Sequence, residues 1–246
     1  MTTGGFADKT RFLREFVKAL GLGERDILQA YEVEFFCDGF PKIKAFREVF
    51  AGELSSELVN YLRERLRSSG LCHHRDARNP CEYGVDLVRG WIYEDAVALG
   101  LGLCGMRAEA VGKDRKREFL KGYKVGSDAD FMVYCGDSCR LVEAVSDYTG
   151  YWSRNDRVDL RDFKYDKIVD QGGLLLGLSL ATLDGFVLCP LTNRDVQVRR
   201  IPRHRPYGDK PAVAILGISG ITKPVPELFR SLADLIAQPA TQEAAT

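Results

Sequence analysis

The strongest constraint on the fold is a hairpin pattern in the middle of the chain. Phe131-Met-Val-Tyr-Cys and Arg140-Leu-Val-Glu-Ala-Val are strand-like apolar segments on either side of the turn residues Gly136-Asp137-Ser138. Two such segments around a short turn predict an antiparallel β-hairpin. Because a hairpin brings the start of its first strand beside the end of its second, we expect Asp130 and Glu143 at the same edge of the sheet.

Helical periodicity dominates the chain before this hairpin. Apolar residues recur at helical spacing in three segments, which are residues 12–20, Ile43 to Phe50 and Ser55 to Leu66. Residues 68–84 are polar and rich in turn residues, which predicts a loop. Trp91 to Leu103 is almost wholly apolar and predicts a buried helix that carries Glu94 and Asp95. Since buried carboxylates are costly unless they are paired or metal-bound, these two acids are candidate functional groups.

The chain after the hairpin mixes both patterns. Strands are predicted at 174–181, at Phe186 to Leu191 and at Val213 to Ile218, and helices at 159–169 and at Pro226 to Ile236. Helices beside a mixed sheet define the α/β class. No long linker interrupts the chain, so we expect a helical N-terminal section at residues 1–84, packed on a core at residues 85–237. A loose tail is expected at residues 238–246.

Composition and charge exclude several classes of protein. Hydrophobic residues make up 45% of the 246 residues, which is too many for a disordered chain. Lys+Arg and Asp+Glu number 35 each, so the formal net charge is zero and bulk coating of nucleic acid is excluded. The charges are nevertheless segregated, because residues 128–170 hold ten acids and six bases, whereas 107–124 and 194–210 each carry four excess positive charges. No segment has the pattern of a membrane span or an export signal, which favours a cytoplasmic protein with reduced thiols.

Two groups of cysteines leave alternatives open. Cys135 and Cys139 flank the hairpin turn, where a disulfide is geometrically possible. Cys72, His73 and His74 are followed by Cys81, which has the residue types of a zinc site. Tetrahedral zinc sites usually have tighter paired spacing, so an ordinary polar loop is favoured over a structural zinc site.

The two acids of the hairpin are candidate metal ligands. Carboxylate oxygens suit Mg²⁺ or Mn²⁺, which keep several waters for a substrate and a nucleophile. Two acids at a strand entrance and in a strand are more often solvated than catalytic. A third acid, Glu94 in the preceding apolar helix, makes the combination more specific.

The order and spacing of these acids resembles that of the PD-(D/E)XK nuclease superfamily, which shares the restriction-endonuclease-like fold. Glu94, Asp130 and Glu143 match the acid of the helix, the acid at the mouth of one strand and the acid of the next strand. The match covers roughly residues 88–191. Ala129 replaces the proline that usually precedes the first strand acid.

The lysine expected two residues after the second strand acid is Val145 in this chain. Family members with a displaced lysine commonly take it from the following helix, so the resemblance points to Lys164 or Lys167, with Lys164 preferred. The ammonium would hold the attacking water and offset charge on the phosphate, so its point of attachment can vary.

The resemblance implies a DNA endonuclease that depends on Mg²⁺ or Mn²⁺, either a type II restriction enzyme or a structure-specific nuclease. Asp130, Glu143 and the carbonyl of Ala144 would hold the metal, and Glu94 would bind a second ion or organise its water. A water would attack phosphorus in line and leave 5′-phosphate and 3′-hydroxyl products. A homodimer is expected, because cutting two antiparallel strands with one site per chain calls for two-fold symmetry. Since the motif lysine is displaced, a non-catalytic nucleic-acid-binding or assembly protein with the same fold is the alternative.

The loop after Glu143 and two basic stretches supply candidate contacts to nucleic acid. They are Trp152, Arg154, Lys116, Arg117, Arg199, Arg200, Arg203 and Arg205. Such residues bind phosphates, and arginine also reads guanine edges. A basic stretch on its own is more often a solvated loop, but a nuclease core makes phosphate contact the better prediction. Double-stranded DNA is the expected partner, with RNA as an alternative.

Overall fold

The structure is a computed structural model, and it describes residues 4–29, 36–37, 40–69, 79–111, 129–192 and 194–238. These residues form two compact units: the first lies within Met1–Gly100, and the second within Leu101–Gly112 and Ser127–Thr246. The division falls near the end of a long helix, whereas the sequence places its boundary after residue 84. None of the helices in the described part is long and apolar enough to cross a membrane.

The first unit is helical in its described part, as the sequence predicts. Its elements are α1 (Gly4–Ala19), α2 (Glu24–Gln29), β1 (Phe36–Cys37), β2 (Phe40–Pro41), α3 (Lys42–Ala51), α4 (Ser56–Ser69) and α5 (Pro80–Leu103). Strands β1 and β2 pair antiparallel. Polar contacts join α1 to α5, where Arg89 donates to Thr10 at 2.9 Å and Lys9 lies 3.3 Å from Asp86.

The predicted loop at residues 68–84 is wrong at both ends. Helix α4 continues to Ser69, and α5 begins at Pro80. Asn79 Oδ1 accepts the Glu82 N–H at 3.0 Å, and Glu82 Oε2 accepts the Asn79 N–H at 3.2 Å, which is a reciprocal N-terminal cap. Asn-Pro has the composition of a turn, but asparagine at the cap and proline at the first helical position also start helices.

The second unit contains a six-stranded mixed sheet of order β11-β8-β7-β5-β4-β3. Its strands are β3 (Arg107–Ala110), β4 (Phe131–Cys135), β5 (Ser138–Asp147), β7 (Leu174–Ser179), β8 (Asp184–Leu188) and β11 (Lys223–Pro224). The predicted hairpin is β4–β5, and the predicted strands at 174–181 and 186–191 are β7 and β8. Strands β5 and β7 are parallel, and the other pairs in this sheet are antiparallel. The α/β class is therefore confirmed.

A three-stranded antiparallel sheet has the order β6-β10-β9, and its strand β6 belongs to the connection from β5 to β7. The elements of this part are α6 (Tyr151–Asn155), β6 (Arg157–Arg161), α7 (Asp162–Asp170), β9 (Gln197–His204), β10 (Lys210–Leu216) and α8 (Val225–Ala237), with 3₁₀ turns at Arg205–Tyr207 and Ile218–Gly220. The helix predicted at 159–169 is thus a strand followed by a shorter helix. The basic stretch at 194–210 contains strand β9 and is not simply a loop, because β10 pairs with it between Gln197 and His204.

The core of the second unit lies on the face of the six-stranded sheet that carries Leu175 and Phe186. These side chains pack with residues of α6, α7 and the three-stranded sheet, which include Trp152, Val158, Leu160, Tyr165, Ile168, Val213 and Ile215. A Cβ atom at Gly177 would lie 2.2 Å from the Phe186 ring, so only glycine fits opposite this phenylalanine. Helix α8 packs on β8, β4 and β5, and a Cβ at Gly185 would meet Leu228 of α8. Neighbouring residues of a strand face opposite sides of the sheet, so the Gly185 side is opposite the face that carries Phe186. Helix α8 therefore covers the face opposite Leu175 and Phe186.

Free thiols are found at Cys81, Cys104, Cys135, Cys139 and Cys189. Cys135 pairs with Ser138 and Cys139 pairs with Tyr134. Because paired residues share a face and neighbours alternate, Cys135 and Cys139 point to opposite faces of the hairpin. The disulfide that the sequence leaves open is therefore wrong for this fold. Cys72, His73, His74 and the predicted tail beyond residue 238 lie outside the described residues.

Candidate functional site

The β4–β5 hairpin brings Asp130 and Glu143 together. Phe131 is paired with Val142, so Asp130, one residue earlier, lies opposite Glu143. The N–H of Ala144 donates to Asp130 Oδ2 at 2.8 Å, which ties this half-buried carboxylate to the strand that carries Glu143. The register and this hydrogen bond place the two acids side by side, where the sequence expects them.

Glu143 is 3% exposed and forms an ion pair with Lys164. Lys164 lies in the first turn of α7, and its Nζ donates to Glu143 Oε1. Glu143 is paired with Leu175 of β7, which belongs to the core beneath α7. Glu143 therefore lies on the face of the sheet that α7 covers, and for this reason a lysine of α7 reaches it.

Val145 lies two residues after Glu143 on β5 and so points to the same face. Its side chain packs against the core cluster. Lys164 brings an ammonium to the same face, where the resemblance predicts a lysine at position 145. Lys167, one turn further along α7, lines a small cleft that Ala129 and Glu143 also line.

Glu94 is half-buried on α5 and belongs to the first unit. Its neighbours Ile92 and Tyr93 are buried, so the helix is embedded as expected. Among the residues that the structure describes, no three His, Cys, Asp or Glu side chains come together as a group that could hold a metal. Within the second unit, the metal ligands that the sequence predicts are two carboxylates and the main-chain carbonyl of Ala144.

This ligand set has the chemistry that Mg²⁺ and Mn²⁺ prefer. All donors are oxygens, and one or two carboxylates completed by waters are typical of protein-bound Mg²⁺. A carboxylate oxygen carries more than one lone pair, so an oxygen in an ion pair or a hydrogen bond can also ligate a cation. The residues present therefore fit the expected metal.

The predicted nucleic-acid contacts differ in their surroundings. Trp152 is 9% exposed and stacks on Phe186 with ring centroids 5.6 Å apart, so its ring is part of the core. Arg154 is exposed and donates to the carbonyl of Thr149 at 2.8 Å. Lys116 and Arg117 lie outside the described residues.

The four predicted arginines of residues 199–205 lie on β9 and the 3₁₀ turn after it, and all are exposed. Arg200 forms two hydrogen bonds with Asp166 of α7, at 3.2 and 2.5 Å. This guanidinium holds the pKa of Asp166 below its usual value. The side chains of Arg199, Arg203 and Arg205 have no acidic partner within the described part of the chain.

A half-buried polar cluster around Asp159 of β6 is absent from the sequence predictions. Asp159 Oδ2 accepts hydrogen bonds from Arg157 at 2.8 Å, Tyr151 at 3.1 Å and His204 Nε2 at 3.1 Å. Tyr207 donates to the Asp159 carbonyl at 2.6 Å. Burial, and then the charge of Asp159, raises the pKa of Tyr207 and of Tyr151. Only the long-range pairing of β6, β9 and β10 brings these residues together, so no local pattern predicts them.

Comparison with protein-family models, with curated proteins and with solved structures finds no significant match to this chain.

Proposed function

We propose that the second unit is a metal-dependent endonuclease of the restriction-endonuclease-like type, acting on DNA. The observation that supports this most is the Glu143–Lys164 pair beside Asp130. Two carboxylates and one ammonium are the groups that the resembling family uses. In this proposal the ammonium is that of Lys164 on α7, which the displaced-lysine prediction prefers.

Each residue has a distinct role in this proposal. Asp130, Glu143 and the Ala144 carbonyl would hold Mg²⁺, which supplies positive charge to the phosphate and makes an attacking water more acidic. The Ala144 N–H keeps the Asp130 carboxylate in place. Lys164 Nζ would donate to the attacking water or to a phosphate oxygen and offset the charge that develops there. Lys167 is the second candidate for this role, and Glu94 stays a predicted ligand of a second ion.

The test is cleavage of circular plasmids and of branched DNA in Mg²⁺ or Mn²⁺, with RNA as a second substrate. Asp130→Asn and Lys164→Ala are expected to lower the rate by about a hundredfold or more, because each removes a group that acts on the transition state. Asp137→Asn, at the exposed tip of the same hairpin, is the matched control and should keep the wild-type rate. Comparing Lys164→Ala with Lys167→Ala identifies the lysine. A wild type that cleaves none of these substrates, or an Asp130→Asn variant as active as wild type, would refute the proposal.

The alternative is a nucleic-acid-binding or assembly protein that retains the fold without catalysis. The observation in its favour is that the motif lysine position is a core valine and that Lys164 is engaged with Glu143. Titration with Mn²⁺ separates the two functions. A catalytic site should bind Mn²⁺ in wild type and lose it in Asp130→Asn with Glu143→Gln, whereas a non-catalytic one should not distinguish these chains.

A further inference from the structure

A second cleft in the same unit lies at the carboxyl ends of β5 and β7. It has a volume of about 270 Å³ and is lined in part by Trp152, Ser179, Asp184 and Thr222. Strands β5 and β7 form the parallel pair of the six-stranded sheet, and crevices beyond the carboxyl ends of such strands are the usual ligand sites of α/β sheets. The register places Ser179 beside Asp147, four residues from Glu143, which is about 13 Å along the strand.

Hydrogen bonds fix the polarity of one wall of this cleft. Thr182 Oγ1 lies 2.7 Å from Ser179 Oγ and 2.5 Å from Asp184 Oδ1. The carboxylate can only accept, so the Thr182 proton points to Asp184 and Ser179 donates its own proton to Thr182. Asp184 and Ser179 therefore act as hydrogen-bond acceptors toward the cleft.

Thr222 adds a further acceptor to the lining of the cleft. Thr222 Oγ1 donates to the Ile218 carbonyl at 2.8 Å, which leaves its oxygen as an acceptor. No Lys, Arg or His lines the cleft in the part of the chain that is described. The cleft is thus lined by one carboxylate, by the hydroxyl residues Ser153, Ser179, Ser219 and Thr222, and, among the described residues, by no cation. This lining disfavours an anionic ligand, and the carboxylate favours a ligand that presents N–H donors.

Aromatic side chains make the floor of the cleft apolar. Trp152 and Phe186 pack together there, and Ile218 adjoins them. An apolar floor with acceptors along its edge suits a flat heterocycle that carries several N–H groups on one side. Guanine presents a ring N–H and an exocyclic amine on the same edge, which matches a carboxylate, whereas hypoxanthine lacks the amine.

We propose that this cleft binds a guanine base through Asp184. The proposal is independent of the nuclease function, because none of its groups belongs to the Asp130–Glu143–Lys164 site. The base can come from a free nucleoside or from a nucleotide of a single strand, since both present the same edge.

The experiment is titration of the full chain with guanosine or inosine, without added metal. NMR and calorimetry measure the binding. Guanosine is expected to bind, and inosine to bind at least about tenfold more weakly, because it lacks one hydrogen bond to a charged acceptor. Asp184→Asn should abolish the preference for guanosine over inosine. Thr222→Val leaves the carboxylate in place and should only weaken this preference. Asp170→Asn, exposed at the end of α7, is the control and should bind guanosine as wild type does.

A second arm uses a short single strand with one central guanine and its inosine counterpart. A guanine preference that appears only in the strand, and is lost in Asp184→Asn, assigns the cleft to a base within nucleic acid. A preference that appears with guanosine as well assigns it to the base alone. Equal binding of guanosine and inosine and of both strands, or an unchanged preference in a folded Asp184→Asn variant, overturns the proposal. Neither arm requires metal or cleavage, so a failure of the nuclease proposal leaves both readouts in place.

Discussion

At the scale of single residues, burial dictates the partners of the two central carboxylates of the second unit. Glu143 is 3% exposed and the Asp159 side chain is 9% exposed, and each lies beside a cation, Lys164 or Arg157. A buried carboxylate without a cationic or hydrogen-bonding partner would cost several kcal/mol. The difference is that Asp159 gathers Tyr151, Arg157 and His204 in a closed cluster, whereas Glu143 sits beside a second acid.

The Glu143–Lys164 pair yields a stability prediction that does not depend on catalysis. Lys164→Met should lower the free energy of unfolding by about 3 kcal/mol, because it removes the ammonium that donates to a buried carboxylate. Adding Glu143→Gln should recover much of this loss, since the buried charge is then gone. Urea unfolding measures both effects, and Lys210→Met, at an exposed position on β10, is the control. If the double variant is no more stable than Lys164→Met, Lys164 does not stabilise the fold by offsetting the charge of Glu143.

At the scale of elements, the sequence predicts those whose apolar pattern is clear. The β4–β5 hairpin, strand β7 and helix α8 are found where the periodicity puts them, and with the hairpin comes the juxtaposition of Asp130 and Glu143. Strand β9 is not predicted, because most of its residues are exposed on both faces and the sequence therefore has no alternation of apolar and polar residues there. Its partner β10 alone makes it a strand, and that pairing is non-local.

Strand β9 is also joined to α7 by the Arg200–Asp166 pair, and this pair gives a pH prediction. The hydrogen bond from Arg200 keeps the pKa of Asp166 below its ordinary value, so the pair stabilises the fold above that value and loses its effect as the pH falls through the lowered pKa. Arg200→Ala should therefore raise the pKa of Asp166 toward that of a free aspartate. Carboxyl-carbon NMR titration measures it. Arg199→Ala is the matched control, because Arg199 points to the other face of β9, and an equal shift in both variants would contradict the assignment.

At the scale of the whole molecule, the net charge is zero, but acidic and basic side chains are concentrated in different segments of the second unit. Acids at the hairpin and in α7 lie in the segment that the sequence marks as acidic, and the arginines of β9 lie in a basic one. The sequence predicts this segregation from counts alone. It does not predict which arginines are neutralised, because that depends on the packing of β9 beside α7 and on the placement of Asp166.

This difference among the arginines leads to a prediction for nucleic-acid binding, which rests on the proposed function. Binding of duplex DNA should weaken as salt increases, because counterions are released from the phosphates that the protein contacts. Arg199→Ala, Arg203→Ala and Arg205→Ala should each lower the slope of log K against log salt by about one, the effect of losing one phosphate contact. Arg200→Ala should lower it less, because Asp166 already neutralises this guanidinium. Fluorescence anisotropy at several salt concentrations measures the slopes, and four equal slopes would show that pairing with Asp166 does not decide which arginines meet the phosphates.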